Sequence, residues 1–148
     1  MGKKRFKTLE KKKVNLEDLY FQYVPGRFEQ AFGNNPSADT LHVSQLPHIS
    51  LLKKYMESKS ADLTDSDYYR MHEAWGRNRK WIKSKISRFI KLFESISKNG
   101  LKIPITIAKE PLHKKFHNGY EIFEGHHRAA IYIVLSRRKI EAKIIKFM

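Results

Sequence analysis

No cysteine occurs among the 148 residues. Disulfides, thiol catalysis and cysteine-ligated metals are therefore excluded, and a cytoplasmic protein is the expectation. No apolar run approaches the roughly 18 residues of a membrane-spanning helix, so no membrane partner is expected. The basic N-terminal stretch lacks the apolar centre of a signal peptide. Acids are the other scarcity: 15 Asp and Glu stand against 30 Lys and Arg, a net charge of +15. Such an excess favours polyanionic partners, nucleic acid first, without separating DNA, RNA, nucleotide or acidic protein.

What is present suffices for one domain with a core, since 41% of the residues are hydrophobic. Residues 1–13 carry seven cations against Glu10 and read as a flexible basic arm. The domain is expected over 14–148. Leu16 to Val24 reads as a strand or a short helix, Pro25-Gly26 as a turn and Gly33 to Ser37 as a loop. Thr40 to Ser44 suits a short strand, and His48 to Glu57 a helix with Leu51, Leu52, Tyr55 and Met56 on one face. Thr64 or Ser66 caps a helix from about Asp67, on which Tyr68, Met71, His72 and Trp75 keep helical spacing.

Ser84 to Lys98 is the clearest helix. Ile86, Phe89, Ile90, Phe93 and Ile96 form one stripe, and Asn99-Gly100 ends it. A strand over Ile103–Ala108, a polar loop closing at Asn118-Gly119, a strand over Tyr120–Glu124, a helix over His126–Arg137 and a strand over Ile140–Phe147 complete an α+β pattern.

The stretch from Tyr120 to Ile131 joins a strand to a helix through Glu124-Gly125-His126-His127-Arg128. A helix N-terminus presents unpaired N–H groups and partial positive charge, glycine lets a ligand approach, and arginine supplies a fork for phosphate oxygens. Gly125, His126, His127 and Arg128 are therefore candidate phosphate ligands. His126 and His127 are also candidate general acids or bases, though adjacent histidines are a poor metal pair. Glu124 is a candidate Mg²⁺ ligand or proton acceptor. Arg77, Arg79, Lys80, Lys83, Lys85 and Arg88 form a second basic run with Trp75 and Trp81 beside it, a composition suited to DNA or RNA. The alternative is a solvated face with tryptophans anchored in the core.

Three pieces, Phe93 to Ile107, Tyr120 to Ala130 and Ile140 to Lys146, together resemble the ParB/sulfiredoxin superfamily. The resemblance implies a small mixed sheet flanked by helices, here with a helical insertion at about 62–85 and the basic arm. At the turn, sulfiredoxins have a cysteine where this chain has His126, so their chemistry is excluded. ParB proteins have a glutamate there, and the free-serine kinases look like Asp-Gly-His-His-Arg, close to Glu124–Arg128. The resemblance also points to Val43–His48 as an upstream segment in which Gln45 and His48 would face a nucleotide.

The resulting expectation is a nucleotide-binding domain that holds a triphosphate, ATP or CTP with Mg²⁺, as a switch or a phosphotransfer enzyme. A nucleic-acid-binding module, in a superfamily that includes proteins called nucleases, and a small-molecule kinase are the alternatives. Base identity, acceptor and oligomeric state stay open.

Overall fold

Strand β1, Phe6–Asn15, pairs antiparallel with the last strand, β6, Lys139–Phe147. The computed structural model describes residues 6–22, 40–108 and 119–147. The expectation of a flexible arm is thereby corrected for Phe6 to Lys13, which are ladder residues; 1–5 lie outside the described residues. Phe6 to Lys13 are all exposed, so the charge pattern does mark solvation. A solvated backbone can still be hydrogen-bonded, and lysines on an outer strand discourage pairing at its open edge. Val14 and Leu16, each 5% exposed, fasten the end of β1 to the core.

A short 3₁₀ turn over Leu16–Asp18 leads into β2, Leu19–Gln22, so the ambiguous segment contains both kinds of structure. β3 is Thr40–His42, β4 Ile105–Ala108 and β5 Tyr120–Glu124. The sheet order is β1-β6-β4-β5-β2-β3. β4 runs parallel to β6 and β2 parallel to β5, while the other pairs are antiparallel. Among the described residues the fold is α+β, a six-stranded mixed sheet with four α-helices.

Each helix starts where its sequence allows. α1, Pro47–Glu57, has proline in its first turn, where the missing N–H costs nothing. α2, Asp67–Ala74, is capped by Ser66, whose Oγ accepts from the Tyr69 N–H at 3.2 Å. α3, Arg79–Asn99, begins five residues before the clearest periodicity. The Asn78 side chain caps it at the Trp81 N–H, 2.8 Å away, and Ile82 extends the buried stripe. α4, His126–Val134, stops short of Arg137. Ser136 turns left-handed with φ 59°, and the Ser136 and Arg137 N–H groups return to the carbonyls of Ile133 and Tyr132. This double closure terminates a helix even without glycine.

The expected insertion at 62–85 is not appended to the core: Tyr68 and Ile82 are each 0% exposed within it. The Pro25-Gly26 turn, the Gly33–Ser37 loop and most of the loop ending at Gly119 lie outside the described residues. Among those residues, no helix is long and apolar enough to cross a membrane.

Candidate functional site

β5 passes into α4 through one residue, Gly125, with φ 109° and ψ 26°. A Cβ there would overlap Ile105 Cγ2 and lie 2.7 Å from Ile105 Cβ. Backbone geometry and the packing of Ile105 thus require glycine before any ligand does. No side chain caps the first turn of α4, so its leading N–H groups are left for solvent or an anion.

His127 projects from that turn into a cluster assembled from four elements. Its Nε2 lies 2.8 Å from the Tyr68 hydroxyl of α2. Its ring stands edge-on to His48 of α1 at 4.5 Å and to Phe89 of α3 at 4.7 Å. His72, one turn beyond Tyr68, sits among Tyr68, Trp75 and Trp81, with centroids 4.7, 5.5 and 5.3 Å away. His48 and His72 are 5% and 6% exposed. Among the described residues, His48 Nδ1 and both ring nitrogens of His72 have no hydrogen-bond partner.

Burial keeps these imidazoles neutral. It lowers His126 and His72 to about 4 and His127 to about 3. Burial, then neighbouring His127, holds His48 well below its ordinary value. Burial raises the Tyr68 phenol. Lys85 is lowered by burial first and by Arg88 second.

Two cavities meet at His127. The first, about 300 Å³, has walls from Phe21, Leu46, Met71 and Trp75, with His48, His72, His126 and His127 among them. The second, about 250 Å³, lies at the start of α4 between Lys85, Arg88 and Arg128, and is completed by Phe89, Leu92, Gly125 and His127. The salt bridges among the described residues involve neither Lys85 nor Arg88. Their positive charge lies beside a low-dielectric wall that strengthens its field, while Arg128 has Glu124 near it.

The structure sorts the residues singled out by sequence. Gly125, His127 and Arg128 share the cationic cavity, while His48 and His126 line the apolar one with His127. Arg128 also has a structural role, since its Nη1 donates to the carbonyls of Ile103 and Pro104 at 2.7 and 2.9 Å and so fixes the entry to β4. Gln45 is exposed on a 3₁₀ turn and lines neither cavity. Glu124 is exposed and borders a third cavity of about 160 Å³ with Lys11, Thr106, Arg128 and Lys143.

Among the described residues, no three His, Asp or Glu side chains gather as a metal site. The donors around the second cavity are cations, which does not fit a protein-held Mg²⁺. The Arg77–Arg88 run divides. Lys85 and Arg88 reach the cavity, Arg77 lies over the Trp81 ring at 4.5 Å, and Arg79, Lys80 and Lys83 are exposed on α3. Trp75 and Trp81 pack against the core. Sequence reasoning did not assign Tyr68, His72 or Phe21 to the site. Polar aromatics on an otherwise core-facing stripe were the available signal, at Tyr68 and His72.

No family model matches the chain, and no curated protein matches it. Among solved structures, the chain is similar to the crystal structure of sulfiredoxin from Arabidopsis thaliana, at 16% identity and a TM-score of 0.39. The likeness covers 91% of this chain and 83% of that one.

Proposed function

We propose that this chain binds a nucleotide, with its phosphates in the cationic cavity at the start of α4. The observation that carries the proposal is that Lys85, Arg88 and Arg128 converge on the uncapped N-terminus of α4, with no carboxylate lining the cavity among the described residues. Backbone N–H groups, the helix dipole and two or three cations are a combination that suits polyphosphate. ATP and CTP are both candidates. A Mg²⁺ ion would travel on the phosphate oxygens, since Glu124 lines neither cavity meeting at His127. Binding, rather than turnover, is what this donor set supports: the neutral histidines offer proton acceptors, but among the described residues no carboxylate lines either cavity to assist a transfer.

The test is thermal unfolding of the full chain with ATP, CTP and inorganic triphosphate, with and without Mg²⁺. A ligand at about 100 times its Kd stabilises the folded state by about 2.7 kcal/mol. The expected shift should fall sharply in Arg88→Ala. No shift with any triphosphate at low salt would end this reading.

A second reading has its own observation. The β1–β6 register places Lys11 opposite Lys143. Like charges directly across a ladder repel, and an anionic nucleic-acid backbone laid over that pair would offset the repulsion. Duplex or single-strand binding weakened by Lys11→Glu and steep in salt would support it.

A further inference from the structure

A single row of side chains crosses the sheet from its edge. The register sets Lys11 of β1 opposite Lys143 of β6, Lys143 beside Thr106 of β4, and Thr106 opposite Glu124 of β5. Partners in adjacent strands share a face of the sheet. These four side chains therefore stand together, and all of them line the third cavity, of about 160 Å³, with Arg128. Such a volume lies below the roughly 300–1,000 Å³ of pockets that enclose a drug-sized ligand, so the group held is small.

Thr106 is 6% exposed. Among the described residues its hydroxyl makes no hydrogen bond, yet it is not sealed from solvent, which leaves a donor at the cavity wall. The salt bridges among the described residues engage neither Lys11 nor Lys143. Glu124 is the carboxylate on this wall, and its charge acts on Arg128. Setting that pair aside leaves two ammonium groups that repel each other across the ladder. A dianion between them offsets the repulsion and balances both charges.

We infer that this cavity is a phosphate-dianion site, in which the Lys11 and Lys143 ammonium groups and the Thr106 hydroxyl donate to the phosphate oxygens. The dianion is free phosphate or the terminal group of a small monoester. The site is independent of the nucleotide one: Arg128 lines both cavities, but Lys85 and Arg88 do not line this one. It does not require nucleic acid either, whose backbone phosphates carry one charge each.

The experiment titrates the ¹⁵N-labelled full chain at low salt, followed by NMR. The probes are inorganic phosphate, glycerol phosphate, chloride, and a single-stranded oligonucleotide without terminal phosphates. Inorganic phosphate should move the Thr106 and Lys143 amide resonances saturably, and chloride at matched ionic strength should not. Glycerol phosphate moving the same resonances marks an ester as a ligand; phosphate acting alone marks the free ion. Lys143→Gln should weaken phosphate about tenfold, since one charge-assisted contact is lost. Arg88→Ala should leave the shifts in place. The wild-type shifts need no variant to fold. Thr106 and Lys143 resonances unmoved by either phosphate would overturn the site, as would equal movement with chloride or loss of the shifts in Arg88→Ala. Movement with the oligonucleotide alone would overturn the dianion in favour of a nucleic-acid backbone.

Discussion

Replacing His72 with phenylalanine should make the fold markedly more tolerant of acid. The native imidazole titrates at about 4, against 6.5 for the unperturbed group, because burial among Tyr68, Trp75 and Trp81 disfavours its charge. The direction follows from proton linkage. Above pH ~6.5 both folded and unfolded forms are neutral, and the residue contributes no pH dependence. Below that the unfolded chain takes up a proton that the native one refuses, so stability falls with acidification and levels off below about 4. Integrated from pH 7 to pH 5, the loss is about 2 kcal/mol for this one side chain. Phenylalanine keeps the ring contacts and removes the titration. Urea unfolding at several pH values, followed by far-ultraviolet circular dichroism, gives the two stability curves. Carboxylates titrate in both proteins and cancel in the difference. The variant should gain about 2 kcal/mol relative to wild type between pH 7 and pH 5. Parallel curves would refute the claim that His72 is held neutral by burial.

Gly125→Ala should cost about 2–4 kcal/mol, adding the strain of a left-handed alanine to the overlap with Ile105; an unchanged urea midpoint would contradict the geometry. Tyr68→Phe removes the 2.8 Å partner of His127 Nε2 and should destabilise by about 1–3 kcal/mol. The same change should move the His127 ring resonances in NMR, and unmoved resonances would count against that hydrogen bond.

The helices and the three C-terminal strands were legible because their burial repeats locally. The α3 stripe and the Tyr120–Glu124 strand follow from spacing alone. β1 was not legible, because its partner lies at the far end of the sequence and its exposed lysines obey the same composition rule as a tail. The site was half legible. Gly125-His126-His127-Arg128 announces itself by chemistry, and Lys85 and Arg88 were read only as part of a basic run. Tyr68 and His72 looked like core positions, which they are; their second role depends on packing α2 against His127, and no local pattern encodes that. Arg128 shows the converse, since its fork suited phosphate by type while the fold also uses it to hold two carbonyls ahead of β4.

The pairing of β1 with β6 has a consequence for biosynthesis. Phe6 meets Phe147 and Asn15 meets Lys139, so nearly all of the described chain lies between the two partners. On a ribosome, β1 emerges before the other described strands and must wait for β6, which follows them and must also complete the parallel pairing with β4. Contacts so distant in sequence slow folding and lengthen the interval in which a strand edge is open. During that interval the lysines of β1 keep the nascent segment solvated. The charge that disguised the strand is thus what lets it wait without aggregating.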